Sequence, residues 1–443
     1  MSQTTTANAA WEEVRAQATA IPEIYGKVDF ESMPERFTVD MSDASTLRGP
    51  FVGRRQALLA NHDRVDLIRA YTMMGDRVAD AYAALMPKYG FSRLVQMLKT
   101  ACENGLEAVP DAPPQLGAFL ADMEQKPDWL NLDLVNEGAR IERNLYANLA
   151  PYLVRGGLLA TFMNKYSALP MALTGNFSGS LAAKRIFETA TFFTLTVVPG
   201  ALERHGEAFK AAAMVRLMHS MVRFNVTRRE GLWDSRTYGV PIPQIDQMPA
   251  GMLAPFMLSV AALAKGRKEF TAEERARVEL SRYRCFLLGL PEALLGTTPE
   301  GVAGPMLTRH ATLRKSFDDA TCGALVRGTM AAELSNDNSL SGRLSRRLEM
   351  GFSKAFFIKH YTDGDPAKAA KIGVPFTAAD RFFAIAAALL IFPKMFAYHT
   401  ASRIGFLSNW ADRRLVGKIE RLLRSYGHAD FVSDGAKYKP AHA

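Results

Sequence analysis

Apolar residues recur at intervals of three and four along most of the chain, and strictly alternating runs are few, which predicts a mainly α-helical protein. Between Arg54 and Tyr89, the positions Leu58, Leu59, Val65, Leu67, Ile68, Tyr71, Val78, Tyr82 and Leu85 fall on helical faces. Phe270-Thr271-Ala272-Glu273-Glu274 opens a further helix, with Thr271 as N-cap and Glu274 three residues on, the pattern of a capping box. Thr377-Ala378-Ala379-Asp380 offers the same device, with Asp in place of Glu, ahead of Arg381 to Met395. Turn-forming stretches separate the helical ones at Val109–Gln115, Pro170–Ser180, Tyr238–Pro249, Thr297–Pro305 and Ser335–Gly342. No internal repeat of fixed period stands out. The breaks divide the chain into an amino-terminal tail and helical extension (1–111), a central body (112–330), a carboxy-terminal helical region (331–427) and a loose polar tail (428–443). The expectation is all-α: one large helical body with helical extensions at both ends.

Composition narrows the class only a little. With 443 residues, 48% of them hydrophobic and 22% charged, the chain is long enough for a sizeable core and ordinary for a globular protein. Cys102, Cys285 and Cys322 stand far apart with no C-x-x-C pair, so neither a disulfide framework nor a zinc ribbon is written here, and a reducing compartment is expected. Met1 to Ala10 is polar, with no basic and apolar segments of the secretory kind, which points to a cytoplasmic protein. The longest apolar runs, Phe382–Pro393 and Met252–Ala264, fall short of the roughly 18 to 20 residues of a membrane-spanning helix.

The net charge of +9 is spread as single Arg and Lys residues among acids, without the basic stripe and stacking aromatics of a nucleic-acid binder. One concentration stands out. From Asp412 to Arg424 five basic residues face two acids, with Leu415, Ile419, Leu422 and Leu423 at helical spacing. A surface helix capping the core is the plain reading of this segment, and peripheral contact with the anionic inner face of a membrane is the sharper one.

The residues richest in chemistry lie between Arg185 and Asp246. Arg185, Glu188 and Thr189 occupy i, i+3 and i+4, one face of a helix that continues into Phe192-Phe193-Thr194-Leu195. Surface and capping chemistry would account for that segment alone. In Val215-Arg216-Leu217-Met218-His219-Ser220-Met221-Val222-Arg223, two guanidinium groups flank one imidazole at i, i+3 and i+7. Like charges on one face repel unless an anion joins them. A neutral imidazole is a good iron ligand, and arginines capture planar carboxylates such as haem propionates. A single helical His is also a common core or surface residue, so spacing alone leaves both readings open. The remaining histidines stand singly, without H-E-x-x-H spacing, and no G-x-S-x-G elbow occurs. Trp233-Asp234-x-x-x-Tyr238-Gly239-Val240-Pro241-Ile242-Pro243-Gln244-x-Asp246 then reads as a structured connection, with Asp246 able to cap the next helix.

Taken in order, R-x-x-E-T-x-x-F, V-R-L-M-H-x-x-V-R and W-x-x-x-x-Y-G-x-P-I-x-Q-x-D resemble the catalytic domain shared by rubber oxygenases (latex-clearing proteins) and MpaB-type oxygenases. The likeness is closest from about Leu169 to Leu294 and weaker out to about Leu116 and Met330. It implies a b-type haem in a helical body with a globin-like core, used to activate dioxygen. Carried over by position, His219 matches the proximal iron ligand, Arg216 and Arg223 the arginines around the ligand helix, and Arg185 and Thr189 the distal helix. Glu188 stands where rubber oxygenases carry a lysine, and no acid lies between Ser167 and Ser180, where they place a carboxylate. The non-secreted branch, with members that cleave prenyl-type side chains, is the better match.

The expected activity is therefore haem-dependent oxygenation of an apolar, unsaturated lipid or isoprenoid. Glu188 is the candidate proton acceptor, Thr189 a hydrogen-bond donor to oxygen, and Phe187, Phe192, Phe193, Met218 and Met221 part of a dry pocket. Two other readings compete: a non-catalytic haem sensor or carrier, and a metal-free helical protein whose Arg216, His219 and Arg223 bind an anionic headgroup.

Overall fold

The helices that position the candidate side chains are, in chain order, α1 (Arg77–Ala83), α2 (Pro114–Glu124), α3 (Ser180–Leu195), α4 (Glu207–Arg228), α5 (Gln244–Ala264), α6 (Ala272–Leu287), α7 (Pro299–Thr312), α8 (Leu340–Tyr361), α9 (Ala378–Ser402) and α10 (Gly405–Tyr426). They come from a computed structural model that describes residues 3–175, 180–335, 337–427, 429 and 431. No strand occurs among the described residues, and the all-α expectation holds. The expected loose tail, 428–443, falls almost wholly outside the described residues, as does the middle of the Pro170–Ser180 break; Pro170 itself sits inside a helix, Lys165–Leu173.

Both predicted capping boxes form. Thr271 Oγ1 accepts from the Glu274 backbone N–H while the Glu274 carboxylate accepts from the Thr271 N–H, and Thr377 and Asp380 repeat the exchange at the start of α9. The Arg54–Tyr89 stretch is more broken than its periodicity predicts. Asn61 and Asp76 cap new starts within it, leaving Arg55–Leu59, His62–Thr72, α1 and Met86–Tyr89 as separate helices. Asp246 does not cap α5, which begins at Gln244. It lies in the first turn and pairs with Arg36 at 2.7 Å and Arg309 at 2.8 Å; burial alone would raise its carboxyl, but the two guanidiniums hold it below the usual range.

The helices group into two compact units, each discontinuous in sequence. One comprises residues 1–138, 200–315 and Phe431; the other comprises 139–199 and 316–430. The central stretch 112–330 is thus shared between them. The physical reason is which apolar faces pair: α4 packs on α1 and α6, and α5 on α6 and α7, whereas α8 packs on α9. In the first unit, Gly251 lets α5 approach α6 closely, since a Cβ there would come within 2.2 Å of Cys285 Sγ. All three cysteines are buried and free.

In the second unit, Ala182 and Ile186 of α3 join Leu159, Phe162, Leu325, Val326, Met330 and Phe357 in one apolar cluster. Buried Arg155 ties this cluster down. Its guanidinium donates to the carbonyls of Thr329, Met330 and Ala332, where the helix Ala324–Ala331 ends, and pairs with Glu349 at 3.2 Å. The basic segment Asp412–Arg424 is helical as expected, within α10, with Leu415 and Ile419 buried.

The membrane expectation needs correction. α5 and α9 are both long and apolar enough to cross a membrane by length and composition, although their longest uninterrupted apolar runs are short. Pro393, Lys394 and His399 punctuate the sequence of α9 without ending the helix.

Candidate active site

His219 sits in the middle of α4, half-buried, in the first unit. Its Nδ1 lies 3.0 Å from Gln247 Oε1 on α5. The direction of that bond follows from a chain of amides. Gln244 Nε2 donates to the Gly75 carbonyl at 3.2 Å, leaving Gln244 Oε1 to accept from Gln247 Nε2 at 3.0 Å. Gln247 Oε1 is then an acceptor, so His219 Nδ1 carries a proton directed at it. Gln244 and Gln247 are themselves buried, and the Gln244 backbone N–H donates to the Met74 carbonyl at 2.8 Å, so the relay is anchored at its far end. A ring nitrogen that donates to a fixed outer acceptor is the arrangement that orients a metal-ligating imidazole.

Arg216 and Arg223 do not present themselves to a cofactor's carboxylates. The anions that join these like charges come from the chain itself. Arg216 donates to both oxygens of Asp76, at 2.9 Å to Oδ1, and pairs with Asp122 of α2 at 2.6 Å. Arg223 donates from Nε to both oxygens of Asp80, at 2.8 and 3.0 Å, and from Nη1 to the Ile242 carbonyl at 2.9 Å. Arg223 and Asp80 are both 0% exposed. Burial alone would lower both guanidinium pKa values, yet Asp76 raises that of Arg216 and Asp80 that of Arg223 above the ordinary range. The physical reason is register: Asp76 and Asp80 lie one turn apart on and beside α1, facing the two arginines two turns apart on α4. Gly289 leaves room for the upper pair, because a Cβ at its positive φ would meet Arg216 Nε at 2.5 Å. Asp76 also caps α1 through the Ala79 N–H at 3.1 Å.

Arg185, Glu188 and Thr189 lie on α3, in the second unit. Glu188 is buried, and its Oε2 accepts from Arg185 Nη1 at 2.7 Å, so the Arg185 guanidinium serves its own helix neighbour. Glu188 Oε1 is buried without a hydrogen bond. Thr189 is exposed and its hydroxyl donates to the Arg185 carbonyl at 3.1 Å. The structure therefore brings Arg185 and Glu188 together within one unit, and His219 with Arg216 and Arg223 along one helix of the other. Of the proposed pocket aromatics, Phe187 stacks on Tyr426 with centroids 5.0 Å apart, and Phe192 meets Phe193 edge-on at 5.1 Å.

Sequence reasoning passed over Gln247, Asp76, Asp80 and Asp122. Signals for the first three existed. Gln244 and Gln247 stand at i, i+3 on an otherwise apolar helix, and Asp76 and Asp80 at i, i+4 in the apolar setting Met73-Met74-Gly75-Asp76-Arg77-Val78-Ala79-Asp80-Ala81-Tyr82.

With this geometry in view, comparison with known proteins places the chain. Residues 144–391 match a family of oxygenase catalytic domains. The chain belongs to that family, described as ER-bound oxygenase mpaB/B'/rubber oxygenase, catalytic domain. Its fold is similar to a solved structure of latex clearing protein (LCP) in the closed state, with a TM-score of 0.53 and 19% identity, covering 78% of this chain and 91% of that one. A likeness at that identity bears on the fold alone. No curated protein matches the chain.

Proposed function

We propose that this oxygenase-family protein is a haem-dependent enzyme that uses dioxygen to oxidise or cleave an apolar, unsaturated lipid or isoprenoid, with His219 as the iron ligand. The observation that carries this reading is the relay Gly75–Gln244–Gln247–His219, which orients the imidazole by fixing Nδ1 as a donor. Among the described residues no group of three or more His, Cys, Asp or Glu could hold a metal ion. A haem brings its own nitrogen donors and would ask a single imidazole of the protein, which His219 would supply. Haem, when bound, supplies the activation of dioxygen.

The chain's own residues supply position and proton handling. Gln247 holds the ring of His219 in one tautomer and orientation, and the ion pairs Arg216–Asp76 and Arg223–Asp80 fix α4 in rotation and height. Glu188 is the proton acceptor for an allylic hydrogen: Arg185 holds Oε2 in place, while Oε1 accepts no hydrogen bond and has Lys184 Nζ at 4.0 Å.

The test is an absorption spectrum and iron stoichiometry of the purified full chain, followed by product analysis with apolar alkenes under labelled dioxygen. The expected result is a Soret band with one haem per chain, abolished in His219→Ala. Glu188→Gln is expected to keep the band and lose turnover by about 10²–10⁴-fold, the usual worth of a general base. A haem-free protein, or an unchanged spectrum in His219→Ala, overturns the assignment.

A further inference from the structure

α9 has two apolar sides: among the described residues one is packed inside the fold, and the other is largely exposed, with only Phe392 resting against Phe352 at 6.4 Å. Its inner side, Ala384, Ala387 and Ile391, is buried with Leu348 and Phe352 of α8. Its outer side carries Phe382, Ile385, Leu389, Phe392 and Phe396 at i, i+3, i+7, i+10 and i+14, one continuous stripe, and these are 66, 54, 70, 53 and 72% exposed. Only 11% of the most apolar window of α9 is buried, against 39% for α5. Phe406 and Trp410 of α10 extend the exposed apolar surface, at 83 and 46%. A contiguous exposed apolar patch of this kind marks an interaction surface.

The rim of the stripe identifies the occupant. From Arg381 to Arg424 there are eight basic residues and two acids, and one of those acids, Asp412, is spent on Arg143 at 2.6 Å. Arg381 and Arg403 lie exposed toward the two ends of α9, and Arg413, Arg414, Arg421 and Arg424 lie exposed on α10. The Arg414 guanidinium sits 5.6 Å from the Trp410 ring, which stacks in turn on Tyr398, an amphipathic edge suited to a headgroup layer. Two copies meeting through this face would bring their basic rims together, which repels. An anionic bilayer satisfies both the stripe and the rim.

We infer that the outer face of α9, with the basic edge of α10, docks this protein flat on an anionic lipid bilayer. Crossing is not the mode, because the inner side of α9 is packed on α8, which carries Arg343, Arg346, Arg347, Lys354 and Lys359. The helix lies in the interface, with aromatic and aliphatic side chains among the acyl chains and arginines at the phosphates.

The experiment is flotation of the purified full chain with phosphatidylcholine vesicles, with and without phosphatidylglycerol, alongside light scattering for the oligomeric state. The wild type is expected to float with the anionic vesicles and to be released by salt. Phe382→Ser/Leu389→Ser/Phe396→Ser is expected to weaken binding at least about tenfold with the helical circular dichroism and melting transition retained, since all three side chains face outward. Arg413→Gln/Arg414→Gln/Arg421→Gln is expected to abolish the preference for phosphatidylglycerol. The proposal is overturned if the wild type does not float, if the triple serine variant floats as well as wild type, or if a dimer appears that the serine variant dissociates while vesicles capture neither protein. Flotation is read without haem or turnover, so its outcome is separate from that of the oxygenase reading.

Discussion

At the scale of single residues, the most consequential contact is the one between Gln247 and His219. A histidine's chemistry is decided by which nitrogen holds the proton, and here a buried amide decides it. Gln247→Leu preserves approximate volume but removes the acceptor, so the imidazole is free to change tautomer and rotate, and Gln244 Oε1 loses its donor. With His219 as the proposed haem ligand, haem affinity of the variant, measured by titration of the apoprotein, is expected to fall 10–100-fold, the usual effect of losing a ligand's outer partner. The orphaned Gln244 oxygen should in addition cost about 1–3 kcal/mol of stability. Unchanged haem affinity would show that Gln247 does not orient the ligand.

At the scale of elements, the register between α1 and α4 rests on charges that are both fully buried. Removing one member of such a pair leaves the other uncompensated in the core, which costs about 3–5 kcal/mol, whereas replacing both with apolar groups is often neutral. Asp80→Asn is therefore expected to shift the denaturant midpoint strongly downward, and Asp80→Leu/Arg223→Met to recover most of the loss. A single variant within about 0.5 kcal/mol of wild type would mean that Asp80 does not hold Arg223. The same pair shows where reading the sequence stops. The i, i+3, i+7 pattern of Arg216, His219 and Arg223 correctly required an anion on that helix face. It could not say that the anion is a pair of aspartates some 140 positions earlier in the chain, because that depends on which helix packs there. Capping boxes at Thr271 and Thr377 were legible because all their atoms lie within four residues.

At the scale of the whole molecule, fold class was legible, since helical periodicity is local, while the two-unit grouping was not. Residues 139–199 and 316–430 share one unit because α3 and the helices around it pair their apolar faces with helices more than a hundred positions away. Stability of the whole chain has its own pH signature, set by a histidine outside the candidate site. Burial, then the nearby Arg309 and Arg48, push the His310 imidazole from the ordinary 6.5 down to about 3, where its Nδ1 faces Thr46 Oγ1 at 2.9 Å. Between pH 6.5 and about 3 the unfolded chain binds a proton at this site that the folded chain refuses. The unfolded state thus holds more protons, and the free energy of unfolding rises with pH across that window. Acidification from neutral pH should lower the denaturant midpoint from about 6.5, a slope to which His360, also lowered by burial, adds and which the Asp80 carboxyl, raised by burial, opposes. Asp246, held below the ordinary 3.8 by Arg36 and Arg309, stabilises the fold above that value and loses its contribution only below it. The two windows meet without much overlap, so they can be assigned separately. His310→Gln, which keeps a partner for Thr46 but cannot titrate, is expected to flatten the dependence between pH 6.5 and 4 and to leave the steeper acid limb in place. An unchanged slope in that variant would assign the neutral-to-acid loss to other groups.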